Sequence, residues 1–193
     1  MPKPLPTDGV QLNDGDTVIL LCGSYSPAHI GYFRALEALA KRKATEIWIA
    51  PLYALLTDGV QDMCTMLATE ASVATKRQIG CCLAGLSKGF LNVEELIPWC
   101  HSRYPGLKFL TAKLHGYGCG KTDIEIRFSG QEIPPARGPY LGKEAIFLSQ
   151  YLPVPDNLVE RIQSGMDESR NFLAPVWEYV QKRKLYRNFN GKI

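Results

Sequence analysis

No apolar run in this 193-residue chain reaches the about 18 residues that a membrane-crossing helix needs. The opening stretch, MPKPLPTDGVQLNDGD, is polar and rich in proline and glycine. It reads as neither a secretory signal nor a span, so a cytoplasmic location and no membrane partner are expected. Runs of lysine and arginine interleaved with aromatics are missing too. The net charge of +3 is too small to argue for nucleic acid but suits a small anionic ligand. The six cysteines, Cys22, Cys64, Cys81, Cys82, Cys100 and Cys119, form no Cys-x-x-Cys pair. Several lie inside apolar patterns, which reads as reduced core thiols rather than a disulfide framework. Cys100, His101, His115 and Cys119 can be drawn as a zinc set, but their spacing fits no usual site and no metal site is expected. With 46% apolar and 21% charged residues the composition is that of an ordinary globular protein. Residues 1–193 read as one domain with a full core.

What the chain does have is a strong opening pattern. The apolar run Val18–Cys22 ends at Gly23, and Ser24, Tyr25, Ser26 and Pro27 make a short turn. Apolar residues then fall at Phe33, Leu36 and Leu39 or Ala40, the spacing of one helix face. Ser26 suits an N-cap and Pro27 the first helical position. A buried strand therefore feeds a helix through a tight turn. The free N–H groups and positive dipole at that helix start favour a bound phosphate. His29 and Tyr32 are three apart and share a face there. An alternative stays open: Gly23 and Gly31 serve only the turn and close helix–sheet packing, and His29 merely caps the helix.

Glu46–Pro51 reads as a second strand, which makes a βαβ unit and implies a parallel sheet. Asp58-Gly59 marks a turn. Residues 60–73 predict a helix with Met63, Met66 and Leu67 on one face. Residues 75–87 predict another through Ile79, Cys82, Leu83 and Leu86, stopped by Gly89. A short strand is expected at Phe90–Val93, and Asp123–Phe128 alternates as a strand. Before the latter, Gly116–Thr122 (GYGCGKT) looks like the end of a phosphate-binding loop. It lacks a glycine where His115 stands, and strand rather than helix follows, so a surface turn is the better reading. Leu158, Val159 and Ile162 predict a helix face. A last helix over 167–183 carries Phe172, Leu173, Val176, Trp177 and Val180, with a kink at Pro175. The basic tail KRKLYRNFNGKI is expected to fray.

The stretch GSYSPAHIGYFRALEAL resembles the first motif of the HxGH nucleotidyltransferases, and most closely that of the nicotinamide/nicotinate mononucleotide adenylyltransferases. Gly23, Ser24, the aromatic Tyr25, Pro27, His29 and Gly31 carry the resemblance; Tyr32 stands where the family has its second histidine. Trp48–Pro51 and GKEAIFLSQYLPVPDNLVERIQ resemble later family segments, and VEELIPWCHSRYPGLKFL resembles the family's helix before its fourth strand, which would be Leu107–Leu114. The resemblance implies an α/β Rossmann-like open parallel sheet flanked by helices, with C-terminal helices. It implies adenylyl transfer from ATP to a mononucleotide, NMN or nicotinate mononucleotide, with Mg²⁺ and pyrophosphate release. His29 and Tyr32 would be the catalytic pair. Gly23, Ser24, Tyr25 and Gly31 would cradle phosphate, and Lys121, Ser129 or Arg137 would hold the triphosphate tail. No Gly-x-Asp loop is visible, and the family's last motif is reduced to Phe128–Pro134 or Ile133–Arg137. The alternative is therefore a diverged nucleotide-binding relative without ordinary transferase activity: a sensor, a partner protein or an enzyme of altered chemistry. The implied partners are small nucleotides; a homo-oligomer is left open.

Overall fold

A computed structural model of the chain describes residues 12–54, 57–129 and 144–187. Arg137, Gly142 and Lys143 lie outside them. Six parallel strands form one open sheet in the order β3-β2-β1-β4-β5-β6. The first strand, β1 (Thr17–Gly23), pairs with β2 (Glu46–Pro51) on one side and β4 (Lys108–Leu114) on the other. It is central and covered on both faces, which is why it is a continuous apolar run rather than an alternating one. Ile19 and Leu21 face one core and Val18, Leu20 and Cys22 the other.

The first core is closed by α1 (Ile30–Leu39), α2 (Val60–Thr75), α5 (Leu158–Gln163) and α6 (Ala174–Lys182). The second is closed by α3 (Ala84–Lys88) and α4 (Val93–Arg103). The chain thus winds outward from β1 to β3 (Ile79–Cys81), then restarts beside β1 and winds the other way through β4, β5 (Ile124–Phe128) and β6 (Glu144–Leu148). The direction reverses between β1 and β4. Loops leaving those two strands diverge there, so a crevice opens beyond their C-terminal ends. All six cysteines are buried and free. Among the described residues no helix is long and apolar enough to cross a membrane.

Several local expectations are corrected. Ser26 is not the N-cap of α1 and Pro27 is not its first residue. The helix starts at Ile30, and His29 caps it. Residues 75–87 are not one helix: Ile79–Cys81 pairs with β2, and only Ala84–Lys88 is helical. Burial between α2 and β2 draws this apolar run into the sheet, and a three-residue strand is too short for its period to show. Phe90–Val93 is not a strand. Asn92 accepts from the Glu95 N–H at 3.0 Å, and Glu95 accepts from the Leu91 N–H at 2.7 Å, which starts α4 at Val93. Pro175 does not kink a long helix. A 3-10 turn, Ser169–Asn171, comes first, and Pro175 sits in the opening turn of α6, where its missing N–H costs nothing. The tail does not fray at once: Leu185 and Tyr186 are buried in the first core. β6 was not anticipated as a strand.

Candidate functional site

A cleft of about 420 Å³ lies at the β1/β4 reversal. Its walls come from the β1–α1 turn (Ser24, Ser26, His29, Tyr32), from the end of β4 (Leu114, His115, Tyr117), from Phe128, and from the strap before α5 (Val154, Asp156).

The β1–α1 turn is held by its own side chains. Tyr25 is fully buried, and its hydroxyl donates to the Leu21 carbonyl at 2.6 Å. Its side chain belongs to the core, and only its backbone belongs to the turn. The Tyr32 ring stacks on Tyr25 at 4.0 Å between centroids, and His29 stacks on the other side of Tyr32 at 4.6 Å. The Tyr32 hydroxyl accepts from the Tyr25 N–H at 3.4 Å and also hydrogen-bonds the Ser24 side chain. Burial raises this phenol to about 12, so it stays protonated at neutral pH. Gly23 does not line the cleft. A Cβ there would lie 2.6 Å from Tyr32 Cε1, so glycine at the strand end makes room for that ring.

His29 caps α1 with its side chain: Nδ1 accepts from the Gly31 N–H at 3.1 Å. Nδ1 therefore has no proton in this arrangement, and Nε2–H is the donor left over. Burial lowers the imidazole to about 4, so it is a neutral donor at physiological pH. Gly31 lines the cleft, and a Cβ on it would press to 2.9 Å on the His29 ring.

The opposite wall holds the feature that sequence reasoning missed. His115 Nδ1 lies 2.5 Å from Glu125 Oε1, and the same oxygen accepts from Arg127 at 2.6 Å. Glu125 and Arg127 are buried on one face of β5, while Ile124, Ile126 and Phe128 point into the first core on the other. The signal was the alternation of IEIRF, which puts Glu125 and Arg127 on one side. That His115 meets them depends on the β4/β5 register. The zinc set does not assemble. Cys100 and Cys119 are buried in the second core, His101 is exposed on α4, and no three metal-binding side chains converge among the described residues.

The tail residues proposed from sequence fall elsewhere. Lys121 is exposed, and its backbone N–H donates to Glu94 at the start of α4. Gly116–Thr122 is tied to that helix, for the Val93 N–H donates to the Cys119 carbonyl. Only Gly116 and Tyr117 from this loop face the cleft. Ser129 donates its N–H to carbonyls of Leu148 and Tyr151 beside β6. Neither Lys121 nor Ser129 lines the cleft.

Solved structures share this chain's architecture. A Plasmodium falciparum nicotinic acid mononucleotide adenylyltransferase complexed with NaAD superposes with a TM-score of 0.64 at 12% identity, over 89% of this chain and 97% of that one. The protein of the same description complexed with APC gives 0.61 at 13%, over 89% and 97%. A putative nicotinate-nucleotide adenylyltransferase from Vibrio parahaemolyticus gives 0.59 at 11%, over 90% and 96%. The fold is that of the nicotinate mononucleotide adenylyltransferases. The likeness is one of fold, since no family model and no curated protein matches the sequence. It extends over about nine tenths of this chain.

Proposed function

We propose that this chain binds a nucleoside triphosphate in the β1/β4 cleft and transfers its adenylyl group to NMN or nicotinate mononucleotide, releasing pyrophosphate. The observation that carries the reading is the cleft itself. It sits where the strand order reverses, and it is faced by an imidazole held neutral with Nε2–H free to donate to a phosphate oxygen. Its volume is within the usual range for a nucleotide-sized ligand. In such a transfer the acceptor phosphate attacks the α-phosphorus in line with the leaving pyrophosphate. The protein then works by positioning and by stabilising charge. His29 would hold an α- or β-phosphate oxygen, with the Ser24 and Ser26 hydroxyls beside it. Leu114, Phe128 and Val154 would cover apolar ligand surface.

Mg²⁺ fits this wall in one way. Asp156 is the one carboxylate lining the cleft among the described residues. Magnesium commonly takes one or two carboxylates and completes its shell with water and substrate phosphates. Asp156 would hold it, and the ion would neutralise charge on the departing phosphates.

A second reading, a nucleotide-binding protein without transferase activity, is favoured by Tyr32. Its hydroxyl already occupies the Tyr25 N–H, and it carries no positive charge at neutral pH. Pyrophosphate release from ATP, with and without NMN or nicotinate mononucleotide, separates the two. Turnover that requires the mononucleotide supports transfer. Calorimetric binding of ATP without turnover selects the second reading, and no binding removes both.

A further inference from the structure

Two imidazoles face one cleft, and their surroundings give them opposite proton arrangements. His29 accepts at Nδ1, so its proton is on Nε2. His115 faces a carboxylate oxygen at Nδ1, and a carboxylate paired with an arginine can only accept. Its Nδ1 therefore carries the proton, and Nε2 is left for a ligand. Neutral, that nitrogen is a lone pair; protonated, it is a charged donor. The carboxylate behind it fixes the ring and its tautomer.

The rest of the wall makes this matter. No lysine or arginine lines the cleft among the described residues. His29 is neutral through the physiological range. Tyr32 and Tyr117 are phenols that burial keeps protonated. Asp156 is the remaining charged group facing the space, and it is an anion. Behind the wall Arg127 is buried against Glu125. The groups around His115 are thus Glu125 and Arg127 from β5, Tyr117 from its own loop, His29 and Tyr32 across the cleft, and Asp156 on the strap.

We propose that His115 is the cation that receives a ligand phosphate in this cleft, binding it as an imidazolium held at Nδ1 by Glu125, so that phosphate binding takes up a proton at Nε2. This rests on the reading that the cleft takes a phosphorylated ligand, and adds which side chain supplies the charge. No bond is made or broken. The proton comes from solvent on binding and returns to it on release. Affinity for a phosphate ligand should therefore be greater in acid than in alkaline solution.

The chain has three histidines, His29, His101 and His115, so their ring signals are few enough to assign by substitution. The experiment is an NMR titration of the three imidazoles in the full chain, alone and with saturating inorganic pyrophosphate, repeated with ATP. The expected result is a midpoint for His115 raised by about one unit or more, a tenfold preference of ligand for the charged ring. The exposed His101 should not move. In His115→Asn the side-chain amide still donates to Glu125, so folding is preserved without a titrating group. This variant should bind pyrophosphate at least about tenfold more weakly than wild type near pH 6, with the difference shrinking above pH 8. Binding that leaves the His115 midpoint unmoved, or an Asn variant with the wild-type pH dependence, overturns the proposal while sparing the nucleotide reading. No binding of pyrophosphate or ATP at any pH overturns both.

Discussion

The crowding between Gly23 and Tyr32 can be put to a quantitative test. An alanine at Gly23 places Cβ 2.6 Å from Tyr32 Cε1 and 2.7 Å from its hydroxyl oxygen. Both are far inside van der Waals contact. The ring cannot retreat freely, because it is almost fully buried between Tyr25 at 4.0 Å and His29 at 4.6 Å. Forcing a methyl into such a packed site costs about 1–3 kcal/mol. For a chain of this size a 2 kcal/mol loss moves a urea midpoint down by roughly 1 M, taking m near 2 kcal/mol per M. Backbone strain does not enter, for Gly23 is ordinary extended strand. The control is Tyr32→Leu, which removes the ring edge and hydroxyl that the methyl would strike. In that background Gly23→Ala should be neutral, or even stabilising by a few tenths, since alanine loses less backbone freedom on folding, about 0.5 kcal/mol. The coupling between the two sites should thus be about 1–3 kcal/mol. Equal costs in the two backgrounds, or a harmless Gly23→Ala in the native one, would refute the view that glycine ends β1 to admit the Tyr32 ring.

Three further outcomes are expected. Stability should fall as pH drops from 6.5 toward 4: His29 has an ordinary value of 6.5 and a folded value of about 4, so the fold favours the neutral ring, and the stabilisation is complete above 6.5 and lost on acidification. The loss is at most about 3 kcal/mol, and His29→Asn, which still caps, should flatten that stretch of a urea-midpoint profile. Tyr186 and Ser26, whose hydroxyl oxygens lie 3.3 Å apart, tie the C-terminal residues to the β1–α1 turn; Tyr186→Phe and Ser26→Ala should each cost about 1 kcal/mol, and the double variant no more than either alone. Arg127→Met leaves the Glu125 carboxylate buried with His115 as its ion-pair partner among the described residues and should cost about 3–5 kcal/mol in denaturant, most of it recovered when Glu125 is also replaced by leucine.

The β1–α1 unit was readable residue by residue because everything that shapes it is local. The run Val18–Cys22, the stop at Gly23 and the period through Phe33 and Leu36 lie within one strand, one turn and one helix, where side-chain spacing directly reports the buried face. Even so, the cap lies three residues past Ser26: serine fits the usual capping preference and histidine does not, and only the folded turn brings His29 Nδ1 onto the Gly31 N–H. Ile79–Cys81 reads as helix in isolation and becomes strand because β2 offers it a free edge. Leu185 and Tyr186 read as a loose tail and are buried because the first core has room for them beside Gly59, where a Cβ would touch Leu185 at 2.8 Å.

Sequence alone determined a parallel α/β sheet built outward from one apolar strand, with His29 at the start of the following helix, because these depend on neighbours a few residues apart. Tertiary structure decided which groups share the cleft with it. His115, in the turn just past β4, and Glu125 on β5 stand ten positions apart, and their meeting depends on how β4 and β5 align, a choice to which the burial of Ile124 and Ile126 in the core behind them contributes. The alternation within β5 fixes which of its faces is buried, but the residue of β4 that each position meets depends on the partner strand and on the connection between them.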